Sequence, residues 1–247
     1  MSLPVFIHPD LSAAQAGDAI TLSGPEARHA VTVKRMQQGE KLALIDGTGI
    51  RLTLTVTETS GKDHLTGTIE SVTQLPEPNP RVTVVQAIPK SERAELAVDL
   101  ATQAGADEII AWQADRCVAK WDGKKAPKAI TKWQAAAEAA AKQSRRDRIP
   151  QVRGPLTTRQ LVAELAERAE SASVLVLHEE ATDSIREVDL RGEVFLLVGP
   201  EGGIGEEELT TLSEVGAVPI KLGPEVLRTA SAAMVALAAI GMRTERW

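Results

Sequence analysis

Two regimes of hydrophobic patterning divide the chain. Up to about residue 75, apolar positions come in short, partly alternating runs at 19–22, 41–45, 52–56 and 65–69. Gly- and Asp-rich turns such as Asp46-Gly47-Thr48-Gly49 separate them. Alternation at period two predicts half-buried strands, hence a small β domain, with one helix over 25–36 between its first two strands. Beyond residue 81 the runs are longer and apolar throughout, and they alternate with helix-length segments. Strands are expected at 82–88, 108–112, 173–178, 194–198 and 218–222. Helices are expected from Ser91, as a capping residue, to about Ala104, then over 126–145, 157–170, from about Gly205, and over 229–242. Strand–helix alternation with continuous apolar strands predicts an α/β domain with a mainly parallel sheet.

Leu75-Pro76-Glu77-Pro78-Asn79-Pro80 separates the regimes. Three alternate prolines disfavour helix and stiffen an extended connector. The expected organisation is a β domain over 1–75, a linker over 76–80 and an α/β domain over 81–247. The chain is 247 residues long, 43% hydrophobic and 25% charged, which fits a soluble globular protein of two domains. It has no apolar run of membrane-spanning length, and the first residues lack the basic and apolar regions of a signal peptide. The single Cys117 excludes an intramolecular disulfide and a thiolate metal cluster. A cytoplasmic protein without a metal is expected.

Candidate chemistry concentrates after the run 194–198, where Gly199-Pro200-Glu201-Gly202-Gly203-Ile204-Gly205 breaks the strand. In an open α/β sheet, ligands dock at the carboxyl ends of strands, and glycines let them approach the backbone. The loop has no following Gly-Lys-Ser/Thr, and its glycine spacing does not fit a dinucleotide fingerprint. Glu206, Glu207 and Glu208 follow at the helix start, where they would oppose a phosphate. A nucleoside-like ligand without phosphate is the reading; a glycine-rich turn with no ligand is the alternative.

A second motif narrows the choice. "LLVGPEGGIGEEEL" followed by "LGPEVLRTASAAMVAL" resembles the SPOUT methyltransferases, whose C-terminal trefoil knot binds S-adenosyl-L-methionine (SAM). Within them the chain is most similar to the branch that methylates N3 of a uridine in 16S (small-subunit) ribosomal RNA. "HAVTVKRMQQGEKLALIDG" resembles the PUA-like RNA-binding domain of that branch, and "ADRCVAKW" and "AKQSRRDRIP" resemble further segments in the same order. The resemblance thus implies a PUA-like β-barrel followed by a SPOUT knot domain, acting as a homodimer on rRNA or the small ribosomal subunit. It also implies that Leu177, His178, Gly199, Pro200, Glu201, Gly202, Leu222, Gly223, Leu227, Arg228 and Thr229 surround SAM. Some relatives carry a glutamate where this chain has Lys142 or Ala230, so a mechanism needing a carboxylate there does not transfer.

Uridine N3 must lose its proton on attack, and a guanidinium near the uracil oxygens would stabilise the developing charge. Arg228 is the first catalytic candidate and Arg146 the second. Glu201 is the only carboxylate within the glycine motif. Net charge is −6, yet residues 116–153 hold eleven Lys/Arg against three acids, a local +8, and residues 154–247 carry −8. That asymmetry suggests a basic face for a polyanion. Arg145, Arg146 and Arg148 there, with His29, Lys34 and Arg35 in the β domain, are the candidate RNA contacts. Two other readings stay open: a SPOUT enzyme acting on a tRNA ribose 2′-hydroxyl, and a non-catalytic RNA-binding assembly protein.

Overall fold

A computed structural model describes residues 3–90 and 93–247. Ser91, the expected helix cap, lies outside them. Chain contacts group the structure into two compact units, one of residues up to Glu77 with Ala141–Ile149, the other of Pro78–Ala140 with Pro150–Trp247.

The first unit is built on a five-stranded sheet in the order β1-β3-β4-β5-β2, from β1 (Val5–Ile7), β2 (Ala19–Ser23), β3 (Lys41–Ile45), β4 (Ile50–Ser60) and β5 (His64–Gln74). β1 runs parallel to β3 and the other pairs are antiparallel. Every second residue of β4 from Leu52 to Val56 is buried, as is every second residue of β5 from Leu65 to Ile69, so one face makes a core with Phe6, Leu22, Leu42 and Leu44. Register shifts near Thr53 and Val56 bend the long β4–β5 hairpin. Gly67 permits this closeness, since a Cβ there would sit 2.6 Å from Leu54 Cδ1 and 2.9 Å from Thr55 O. This is the curled sheet of a PUA-like domain. The expected helix over 25–36 is a short α1 (Gly24–Arg28) followed by a single π-helical turn, His29–Val33. β1 was not visible in the pattern because it has only three residues.

The segment 141–149 completes this unit by specific contacts. Ile149 packs with Val5 and Ile45, Arg51 pairs with Asp147 at 2.6 Å, and Lys142 pairs with Glu26 at 2.6 Å. Arg148 donates to the carbonyls of Leu75 and Pro76.

The second unit holds a six-stranded, all-parallel sheet in the order β11-β9-β10-β6-β7-β8. The strands are β6 (Val82–Ala87), β7 (Glu108–Gln113), β8 (Gln151–Thr157), β9 (Ala172–Leu177), β10 (Glu193–Val198) and β11 (Val218–Ile220). The helices are α2 (Ala94–Gln103), α3 (Lys125–Ser144), α4 (Thr158–Ala166), α5 (Glu206–Glu214) and α6 (Thr229–Arg243). Residues of β6 and of β10 from Val194 are all buried, as expected of parallel strands covered on both faces. β8 is not predicted from the pattern because Arg153, Gly154 and Pro155 interrupt its apolar run. α4 is shorter than the expected 157–170. It opens with a capping box in which Thr157 and Gln160 satisfy each other's backbone donors. The all-parallel sheet with helices between its strands is the α/β architecture expected of this half of the chain. Among the described residues, no helix is long and apolar enough to cross a membrane.

A closed ring of charge lies at the amino ends of these strands. Arg81 contacts Glu108 at 3.0 Å and Glu193 at 3.4 Å. Arg168 contacts Glu193 at 3.1 Å and Glu164 at 3.6 Å, and Arg153 joins Glu164 to Glu108. Burial disfavours the charged Arg153, but its hydrogen bonds to Glu164 and Glu108 outweigh this and raise its pKa above the ordinary arginine value. Breaking one partner of a buried pair leaves the other charge uncompensated. Arg153→Ala should therefore destabilise the protein by about 2 kcal/mol, a value reduced for partial exposure. Urea unfolding would measure this, and Arg153→Lys should recover only part of the loss because it cannot bridge both glutamates.

Candidate ligand-binding and catalytic site

The carboxyl ends of β9, β10 and β11 carry nearly all the residues that the motifs single out. β10 ends at Val198 and runs into the loop 199–205, with Gly205 as the N-cap of α5. Gly203 N–H donates to Pro200 O at 2.9 Å, closing a tight turn. Gly203 has φ 72°, a left-handed conformation that glycine adopts without strain, and a Cβ there would meet nothing within 4 Å. A Cβ on Gly199 would lie 2.8 Å from Ile204 Cγ1, so glycine there lets Ile204 fold back over the strand end. Gly202 lies outside the left-handed region, and its Cβ would make ordinary contact with Arg116 at 3.5 Å.

Three anchors hold this loop. Thr229 Oγ1, at the start of α6, donates to Gly199 O at 3.0 Å. The Glu201 carboxylate accepts from Lys90 N–H at 3.0 Å, just beyond β6. Arg116, after β7, donates to Gly202 O at 3.2 Å. Arg116 is itself positioned by a residue that the sequence placed elsewhere. Glu208 was expected at the positive end of the α5 dipole, but its side chain is buried. Its Oε1 accepts from Asp115 N–H at 3.1 Å and from Thr158 Oγ1 at 2.5 Å. Glu208 therefore ties α5 to the segment that carries Arg116. Neither role was legible in the sequence, because a glutamate in a helical first turn looks the same whether exposed or buried.

The adjoining strands complete the edge. His178 N–H donates to Ile220 O at 3.0 Å, so β9 and β11 end side by side, and the half-buried His178 ring accepts from Glu180 N–H at 3.3 Å. The following loop passes against Lys221: Lys221 N–H donates to Asp183 O, and Ile185 N–H donates to Lys221 O. Arg243, near the end of α6, holds the same loop through Ile185 O and Val188 O. Leu222 and Gly223 are half-buried, and Leu227 and Arg228 are exposed, with Arg228 as the N-cap of α6. Arg228 has no side-chain hydrogen bond or ion pair among the described residues, neither to Glu201 nor to Glu225. The backbone N–H groups of Gly202, Leu222, Gly223 and Leu227 likewise donate to no backbone acceptor among the described residues. Glycine backbone, free amides and an unpaired guanidinium leave an open surface that offers hydrogen-bond donors to a ligand.

The candidate RNA contacts divide differently. His29 stacks edge-on against Phe6 at 5.7 Å, half-buried. Lys34 and Arg35 are exposed, and Arg35 has a left-handed backbone, φ 55°. Arg145 is exposed with φ 61°. Arg146 is half-buried and has partners of its own. Arg148 is engaged by the carbonyls of Leu75 and Pro76 and by the Glu77 carboxylate. Lys142 pairs with Glu26, and Ala230 is buried at the start of α6. Among the described residues no cluster of His, Cys, Asp and Glu could hold a metal ion. Burial raises the Cys117 thiol pKa and keeps the thiol protonated.

Comparison with known proteins agrees with this architecture. Residues 76–241 match the RNA methyltransferase domain family, and residues 22–70 match the RNA methyltransferase PUA domain family. The fold and site thus define an RNA methyltransferase of the SPOUT class with a PUA domain. The chain is 50% identical to the Ribosomal RNA small subunit methyltransferase E of Mycobacterium bovis, over 94% of this chain and 89% of that protein. It is 30% identical to the protein of the same name from Bacillus subtilis, over 97% and 96%. A methyltransferase of Legionella pneumophila solved with the bound cofactor SAM superimposes with a TM-score of 0.86 at 30% identity, covering 98% of both chains. A Neisseria gonorrhoeae Ribosomal RNA small subunit methyltransferase E shares the fold at 23% identity and a TM-score of 0.87, also over 98% of both chains. The chain belongs to the ribosomal RNA small subunit methyltransferase E family.

The loop geometry sets an order among its glycines. Gly203→Ala would be strained by about 1–2 kcal/mol at its positive φ, and Gly199→Ala would clash with the buried Ile204. Gly202→Ala meets neither obstacle in the protein itself. Calorimetric titration with SAM should show a loss for Gly199→Ala and Gly203→Ala. Equal loss for Gly202→Ala would show that the ligand itself lies against that position. Arg116→Ala should also weaken SAM binding, by about 1 kcal/mol for one lost hydrogen bond, without altering the unfolding midpoint by a comparable amount.

Proposed function

We propose that the chain transfers the methyl group of SAM to N3 of a uridine in 16S rRNA. The observation that carries this reading is its 50% identity, over 94% of its length, to a protein named for small-subunit rRNA methylation. The loop 199–205 and the unpaired Arg228 support it on the chemical side. A tRNA-directed or non-catalytic role has no comparable observation in its favour.

SAM supplies an electrophilic methyl group on a sulfonium when bound. The chain's task is to orient it, admit the uracil and accommodate the charge that develops. The backbone at Gly199, Pro200, Glu201, Gly202, Leu222, Gly223 and Leu227, beside Leu177 and His178, surrounds the nucleoside part. Thr229 fixes the loop through Gly199 O. N3 attacks the methyl carbon as the carbon–sulfur bond breaks, and the N3 proton passes to solvent or to a base. Arg228, free at the mouth of the cradle, stabilises the negative charge on the uracil oxygens. Glu201 is held by Lys90 N–H, so it acts on loop position at least as much as on the proton.

The same reading gives the chain a homodimeric state. Val226, Leu227, Met234 and Val235, around the start and outer face of α6, are exposed apolar side chains beside the cradle, which suits a second copy. It also gives the first unit and its basic residues a role in holding rRNA, and places the protein in the cytoplasm with the small subunit.

Mass mapping of 16S rRNA from a strain lacking the protein tests the reaction directly. One uridine should lose a single methyl group at N3 and regain it on complementation. Intact 16S methylation with a missing tRNA ribose methyl would replace this reading with the tRNA one. Arg228→Ala should keep SAM affinity within a few-fold while lowering methyl transfer by roughly 10²-fold, the scale of a lost transition-state donor. Single-turnover methylation beside SAM calorimetry separates the two effects, and near-normal turnover would make Arg228 dispensable.

A further inference from the structure

Several cations of the second unit are engaged by the fold. Arg81, Arg153 and Arg168 belong to the charge ring, Arg243 holds the 185–188 carbonyls, and Arg246 pairs with Asp107 at 2.7 Å. The segment from Arg116 to Lys132 is different. It carries Arg116, Lys120, Lys124, Lys125, Lys128 and Lys132, all exposed, against one acid, Asp122. Its only ion pair among the described residues is Lys125–Asp122 at 3.9 Å, with both side chains more than three-quarters exposed, a contact of negligible strength. Lys120, Lys124, Lys128 and Lys132 are unpaired among the described residues.

The arrangement is directional. Lys125, Lys128 and Lys132 recur at spacings of three and four, on one side of α3. The other side is buried through Trp133, Ala137 and Ala140. No acid stands in the first turn of α3, so these lysines gather at the positive end of a helix dipole with nothing to offset them. At the other end of the segment, Arg116 reaches Gly202 O, so the row of charge terminates against the candidate SAM loop.

We infer that Arg116–Lys132 forms a phosphate track on the catalytic unit itself, which lays a single-stranded segment of the substrate RNA along α3 and up to the cradle. This rests on the proposed rRNA methylation and adds where the catalytic unit grips its substrate. The track accounts for positive charge that the fold does not use, in a chain whose net charge is negative. It also distinguishes this stretch from 141–149, where Lys142 and Arg148 are engaged in holding the first unit together.

The test compares the full-length chain with Lys124→Gln/Lys128→Gln/Lys132→Gln and with the corresponding triple arginine variant. Binding to a 16S rRNA fragment is followed across salt concentrations, with SAM calorimetry and thermal unfolding on the same samples. The glutamine variant should unfold normally and keep its SAM affinity. Its log–log salt slope should fall by about two units, as three released single-strand phosphate contacts imply. The arginine variant should keep the wild-type slope. An unchanged slope in the glutamine variant, with wild-type protein binding the fragment, would overturn the track and leave the methylation reading standing. Wild-type protein that neither binds nor methylates small-subunit rRNA would overturn both. Normal binding to naked rRNA with lost binding to assembled subunits would assign the lysines to an acidic protein surface and also overturn the track.

Discussion

Parallel pairing in the second unit is the constraint from which the site follows. A parallel strand cannot turn back directly, so each connection leaves by the carboxyl edge and returns by the amino edge. With β10 between β9 and β6, and β11 on the far side of β9, the loops after β6, β9, β10 and β11 gather at one edge. Lys90, His178, Gly199 and Leu222 come together for that reason. The amino edge is occupied by the arginine–glutamate ring, which stabilises strand starts and leaves the carboxyl edge open. One edge serves stability and the other carries the candidate site.

Within that edge, shape is set by backbone donors and acceptors more than by side-chain bulk. Gly199 and Gly203 bring the chain into a turn that larger residues would block or strain. Thr229, Glu201 and Arg116 then fix the turn from three different elements. This gives a cradle whose polar needs are met at the anchors and left open at the amides of Gly202, Leu222, Gly223 and Leu227. Glu208 extends the arrangement inward. A buried carboxylate that accepts from Asp115 N–H and Thr158 couples α5, the segment after β7 and α4, so the loop's position depends on packing some distance from any ligand.

The first unit uses a different logic. Its sheet buries one face through strict alternation along β4 and β5, and it recruits residues 141–149 for part of its packing. Ile149 enters the small cluster with Val5 and Ile45, while Asp147 and Lys142 neutralise Arg51 and Glu26. The basic run 145–148 is thereby a mixture of structural and available charge. Arg148 is held by carbonyls, whereas Arg145 is exposed.

The amino-acid sequence by itself determined the strand and helix sequence of the α/β domain, the alternation of the β domain and the position of the glycine loop. These are written in local periodicity and in residues with special backbone freedom. It also carried the family through two motifs whose residues lie close together in the chain. What it left undetermined depends on contacts between distant segments. β1 has three residues and exists because β3 pairs with it; β8 contains Gly154 and Pro155 and exists because β7 does. Gly202 and Gly203 look alike in sequence, and only the folded turn requires the positive φ at the second. Arg116, Glu208 and Arg148 are ordinary charged residues until tertiary structure supplies Gly202 O, Asp115 N–H and the carbonyls of Leu75 and Pro76. A charged side chain acquires its role from the partner that the fold brings within hydrogen-bonding distance, and that distance is not encoded in its neighbours along the chain.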